Sequence, residues 1–392
     1  MSFGKMPIAN GFLTEKEFDR EYFFEMEVGF CQKCYMFQLI NQPEREKMFN
    51  EHYAFFSGTS KNMALHFKEF ANFLTTEYLT GKEAPFVVEI GSNDGIMLKN
   101  FAEQGMKHLG IEPSANVAQV AMNHGINTIT EFFDADCAER IVAKQGKADA
   151  FIAANVMCHI PYMHSIIEGI KVLLKPDGVV MFEDPYLGDV IKNTTYDQIY
   201  DEHVFLFSAL SIQKIFESHG MELIDLLPQE THGGSMRYVL AFKGTKEVSQ
   251  NVNRIIKQEQ AQGLNIPETF NQFRINCEQY RNELVKTIRN IRNQGHRVIG
   301  YAATSKSTTI INYCGLTTDD IEFICDTTPI KQGKFSPGGH IPVKPYEEFK
   351  NNYPKYALLF AYNHSKEIMA KEADYMNSGG RWIVYFPEVK VL

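Results

Sequence analysis

Short apolar runs that end in small-residue turns and open into amphipathic stretches recur along this chain, and that alternation restricts what it can build. It begins with "FVVEIGSNDGIMLKNFAEQG" from residue 86 and repeats in "KHLGIEPSANVAQVAMNHG" from 107. "ADAFIAANV", the helical stretch around 163–174 and "GVVMFEDPY" continue it. Strands that alternate with helices need crossover connections, so they pair in parallel and bury both faces of a sheet. The pattern restarts at 297 in "RVIGYAATSKSTTIINYCG", followed by the strand-like runs "IEFICDTTP", "YALLFAY" and "RWIVYFP". Two doubly wound α/β units are therefore expected. A chain of 392 residues is also too long for one ordinary core.

Between the two units, residues 247–293 are rich in Glu, Gln, Asn, Arg and Lys, yet Val252, Ile255 and Ile256 keep helical spacing, which reads as a helical connector. Residues 61–80 place Met63, Phe67, Phe70, Leu74 and Tyr78 on one helical stripe. Residues 1–60 show no clear period. The expected division is a small N-terminal domain (1–60), a central domain (61–246), the connector (247–293) and a C-terminal domain (294–392). A formal charge of −9 argues against a surface made to neutralise nucleic acid. With no apolar run of signal-peptide or membrane-spanning length, the sequence reads as a soluble, cytoplasmic protein without a membrane partner. Seven cysteines, an odd number, do not look like a disulfide framework. Nothing in the sequence speaks to oligomeric state.

In open parallel sheets, ligands sit beyond the carboxyl ends of the strands. The first such turn here runs Glu89, Ile90, Gly91, Ser92, Asn93, Asp94, Gly95, and the second strand ends at Glu112. A carboxylate there accepts from both hydroxyls of a ribose. The spacing differs from the glycine pattern that cradles a pyrophosphate, which favours S-adenosylmethionine over NAD. Asp134 follows the third strand where adenine is expected, and Asn155 ends the fourth beside the expected sulfonium. In the second unit, Ser305, Lys306, Ser307 and Thr308 start a helix and suit a diphosphate. Lys331 and Lys334 in a Gly/Pro loop, and Gly233 with Arg237 in "HGGSMR", are further candidates for holding a nucleotide.

Taken in order, "MPIANGFL", "CQKC", "HYAFFSGTS", "EIGSNDG", "NVMCHIP", "YDQIYDEHVFLFS", "HGGSMRYVL", "GYAATSKSTTIINYCG" and "DTTPIKQGKFSPGGHIPV" resemble the sugar C-methyltransferases that act on nucleotide-linked 4-keto-6-deoxy sugars. The resemblance implies two Rossmann-like domains, a methyltransferase core and a C-terminal domain that helps hold the nucleotide sugar, preceded by a small zinc-binding domain. Of the zinc site only Cys31 and Cys34 match, so a zinc ion is doubtful. The family's Tyr-His-Glu-His reads Tyr200-Asp201-Glu202-His203 here.

Methylating carbon requires a carbanion, and a ketone at C4 lets removal of the C3 proton give an enolate. His203 is the expected base, with Glu202 orienting it and Tyr200 donating to the enolate oxygen or relaying the proton. The resemblance adds His159 and Tyr53 to the catalytic set. Methylation of a sugar oxygen or nitrogen, and binding of the methyl donor without turnover, are the alternatives.

Overall fold

The computed structural model describes residues 1–44, 48 and 61–392. The N-terminal stretch, aperiodic in sequence, forms strands β1 (Ser2–Pro7), β2 (Phe23–Phe30) and β3 (Phe37–Leu39) of an antiparallel sheet. Phe24, Met26 and Val28 of β2 point inward, while the outward Phe23 obscures the alternation. The predicted helix follows as Lys61–Leu74, with Phe67, Phe70 and Leu74 buried against the next unit and Met63 half-buried.

The central unit contains β4 (Phe86–Ile90), β5 (Lys107–Ile111), β6 (Thr128–Ile129), β7 (Ala148–Ala154) and β8 (Leu174–Pro185). Their residues are apolar on both faces because helices cover both sides. A two-residue strand, β9 (Phe205–Leu206), leaves this unit and pairs antiparallel with β3, becoming the fourth strand of the N-terminal sheet. β10 (Met221–Gln229) and β11 (Ser235–Phe242) complete the central sheet in the order β10-β11-β8-β7-β4-β5-β6, with β11 antiparallel to both neighbours. Strand order reverses between β4 and β7, which leaves a crevice at their carboxyl ends.

The connector is two helices, Gln250–Ala261 and Pro267–Asn293, separated where Gly263 takes φ +75° and Pro267 starts the second. Buried Glu259 of the first accepts from the N–H groups of Ala209 (2.7 Å) and Leu210 (2.9 Å), capping the helix Ala209–Glu217. The last unit holds β12 (Val298–Tyr301), β13 (Ile324–Asp326), β14 (Val343–Pro345), β15 (Tyr356–Leu359), β16 (Arg381–Val384) and β17 (Lys390–Val391), ordered β14-β13-β12-β15-β16-β17. All but the β16–β17 pair are parallel. Among the described residues, no helix is long and apolar enough to cross a membrane.

Candidate active site

The carboxyl ends of β4, β5 and β7 open onto a cavity of about 560 Å³, and the turn after β12 closes its far side. Asn10 reaches into the wall from the N-terminal segment. All three units thus meet at one space.

On the central side, Gly91 takes φ +58° and donates its N–H to Ile111 O at 2.8 Å. A Cβ there would lie 2.4 Å from Val156 Cγ2, so only glycine fits the turn. Glu112 Oε2 accepts from Asn93 N–H (3.0 Å) and Oε1 from Ser114 N–H (2.8 Å). Burial holds this carboxyl above its ordinary range despite those bonds. Each oxygen keeps a second lone pair. Asp134 lines the cavity but also caps the helix Ala135–Gln145 through Cys137 N–H at 2.8 Å. Asn155, at φ +56°, donates its N–H to Glu183 O at 2.7 Å and lines the wall. Glu89, Ser92 and Gly95, also expected at the cofactor, are not among the residues that line the cavity. Burial, and then the charges of Glu112 and Asp94, push the Glu89 carboxyl well up.

The polar run 194–208 reads as a solvated loop by composition, yet Tyr196, Asp197, Tyr200, Asp201, Glu202 and His203 are all buried. His203 Nδ1 lies 2.7 Å from Gln198 O, and Nε2 lies 2.9 Å from the Tyr200 hydroxyl. A carbonyl only accepts, so these partners assign the proton to Nδ1, and Nε2 accepts from Tyr200. Glu202 Oε1 instead accepts from Asn10 Nδ2 at 2.7 Å, and Asp201 Oδ1 from Ala9 N–H at 2.8 Å. Glu202 is thus tied to the N-terminal segment, and His203 to its own turn. The His159 ring stacks 5.4 Å from that of His203 at 25°. Burial pushes its pKa down to about 4, leaving it neutral at neutral pH. Burial likewise pushes the Tyr200 hydroxyl well above its usual value. Tyr53 lies outside the described residues.

On the far side, Ser305, Lys306 and Lys331 line the cavity, and burial lowers the pKa of both lysines. Lys331 Nζ donates to Ala303 O at 2.8 Å and stands 4.9 Å above the Phe12 ring. The other residues expected to hold the nucleotide serve packing. Ser307 Oγ donates to Thr304 O (2.6 Å) and Thr308 Oγ1 to Ala9 O (2.9 Å). Arg237 bonds Glu183 Oε2 through Nε (3.1 Å) and Nη2 (2.9 Å) over the Phe70 ring, so its charge is already met inside the core. Gly233 packs on Tyr362, and Lys334 sits on a loop near Glu17; neither lines the cavity. Sequence reasoning missed the roles of Asn10 and the Gln198 carbonyl. "MPIANGFL" marked the first without saying what it does.

Cys31 and Cys34 flank a turn closed by Tyr35 N–H to Cys31 O at 2.8 Å. The Cys34 N–H holds the Cys31 thiol low, and burial raises that of Cys34. Structural zinc needs four donors. Among the described residues no third metal-binding side chain joins this pair, so the described residues alone do not make a complete zinc site.

A family described as methyltransferase domain matches residues 62–226, over the β4–β8 sheet with its reversal point and acid-ended second strand. The protein is an S-adenosylmethionine-dependent methyltransferase of Rossmann-like α/β fold. A family described as C-methyltransferase C-terminal domain matches residues 230–387, and a zinc binding domain family matches 1–49. The chain is 33% identical over 394 residues to the C-methyltransferase NovU of Streptomyces niveus, covering 100% of this chain and 93% of NovU. It belongs to the C-methyltransferase family. A ubiquinone biosynthesis O-methyltransferase of Pasteurella multocida is 34% identical over 117 residues, 26% of this chain and 46% of that one. Magnesium protoporphyrin IX methyltransferase of Synechocystis with bound S-adenosylmethionine aligns over 46% of this chain and 81% of its own, at 13% identity and TM-score 0.34.

Proposed function

We propose that this C-methyltransferase acts at C3 of a nucleotide-linked 4-keto-6-deoxy sugar, and that Tyr200 and His203 together remove the C3 proton. The observation that carries this reading is the fixed tautomer of His203, whose basic Nε2 faces the Tyr200 hydroxyl at 2.9 Å on the cavity wall. The C3–H bond breaks, the Tyr200 oxygen takes that proton, and its own proton passes to Nε2. The electron pair moves into the C3–C4–O enolate. Neutral His159 donates an N–H to the enolate oxygen without becoming an acid, as its depressed pKa allows. Bound S-adenosylmethionine supplies the electrophilic methyl group.

Glu112, with lone pairs left on both oxygens, takes the ribose hydroxyls, and Gly91 and Asn155 let backbone approach the donor. The family resemblance and the charge of the far wall support a nucleotide sugar: Lys306 and Lys331 are half-buried lysines lining the cavity, suited to a diphosphate.

The test is NMR of such a ketosugar with the protein in D₂O, first without and then with S-adenosylmethionine. Deuterium entering C3 faster than in the enzyme-free control, then a methyl group on that carbon, is the expected result. Methyl transfer without exchange would replace this reading with methylation of a sugar oxygen or nitrogen.

A further inference from the structure

Residues 9–13 of the N-terminal segment lie between the other two units and bond to both. Ala9 donates its N–H to Asp201 (2.8 Å) and its carbonyl accepts from Thr308 Oγ1 (2.9 Å). Leu13 pairs with Phe335, whose N–H reaches Leu13 O at 2.8 Å, and Phe12 lies under Lys331. Asn10 is thereby pinned on both flanks, with its amide 2.7 Å from Glu202 Oε1 inside the cavity wall.

We propose that Asn10 is a positioning residue that holds the Glu202 carboxylate toward the Tyr200–His203 pair, so that the N-terminal module completes the proton-transfer site. Two features support it. Glu202 lines the same cavity as Tyr200, His203 and Lys331 and acts electrostatically on both Tyr200 and Lys331, so a half-buried lysine competes with the proton-handling pair for its carboxylate. An amide donor can hold a carboxylate in place without cancelling its charge, as a lysine or arginine in its position would. So held, the Glu202 carboxylate is placed to stabilise His203 when its imidazolium forms. Without the Asn10 amide, the carboxylate turns toward Lys331, weakening the base and neutralising the anion-binding wall together.

The proposal rests on the ketosugar reading above, and three variants of the full chain test it on that substrate. Asn10→Ala should lower kcat by about 10- to 100-fold, while the Kd for S-adenosylmethionine stays within about threefold of wild type. In an E202Q background the same change should cost less than about twofold, because its target is already gone. Asn10→Asp gives the sharpest signature. Two carboxyls in contact share one proton at low pH, so the carboxyl introduced by N10D can still donate to Glu202; once both ionise they repel. The ratio of N10D to wild-type kcat should therefore fall as pH rises, whereas loss of mere packing leaves it flat. Full additivity of N10A with E202Q, a flat ratio, or equal loss of cofactor binding in N10A overturns the proposal while leaving the ketosugar reading intact. A wild type that turns over no 4-ketosugar overturns that reading and this proposal with it.

Discussion

At the scale of single residues, the site is a problem of which atom carries which proton. His203 is pinned through Nδ1 to a backbone carbonyl, so His203→Asn keeps a donor toward Gln198 but removes the base. Turnover should fall by roughly 10²- to 10⁴-fold with cofactor affinity retained, read by steady-state kinetics and calorimetry. Tyr200→Phe should fall in step with it if the hydroxyl relays the proton; near-normal turnover would mean that His203 reaches C3 directly. Burial pushes the His159 pKa down to about 4, so His159→Gln should lower kcat while leaving the acid-side midpoint of its pH profile in place. His203, Tyr200 and Glu202 were legible because they crowd four positions of sequence. Their supports were not. Asn10 meets Glu202 across 192 positions, and the Gln198 contribution is a main-chain oxygen, which residue identity does not advertise.

At the scale of elements, strands and turns set the backbone proposed to hold the donor. Gly91→Ala combines a left-handed φ of +58° with a Cβ 2.4 Å from Val156, costing at least about 1–2 kcal/mol. Affinity for S-adenosylmethionine should drop by about tenfold or more, and an unchanged Kd would remove this turn from the donor site. On β8, Asp184 is fully buried, and burial pushes its carboxyl from the ordinary 3.8 up to about 8. Between those values the folded protein holds a proton that the unfolded chain has released, so this group makes stability fall as pH rises from about 4 to about 8. Asp184→Asn removes that slope. Its Tm advantage over wild type should be larger at about pH 8 than at about pH 5 by about 2 °C or more, and an advantage equal at both values would refute the assignment. The alternating strands and helices of both α/β units were readable from buried apolar runs such as "FVVEI" and "YALL". β1 to β3 were not, since their aromatic residues fall on both faces, and β9 is too short to show any period.

At the scale of the whole molecule, the work divides between units. Lys306 lies across the cavity from the turn after β4, so Lys306→Met should raise KM for the nucleotide sugar about 10-fold or more and leave cofactor Kd unchanged. A parallel loss of both would show that the two sides fold as one. This division follows from two strand-order reversals facing the same space, whereas the threading of residues 9–13 between them depends on contacts nearly 200 and 300 positions apart. Such contacts leave no local pattern to read. They also put the reaction on a clock. A ribosome makes the segment that holds His203 well before the loop that holds Lys331, and the 128 residues between them (331 − 203) take on the order of ten seconds to synthesise. During that interval Ala9 has no Thr308 to hold it, and Asn10 is anchored on one flank only. The nascent chain therefore passes through that interval with its proposed base made but without the last contacts that fix Asn10 against Glu202.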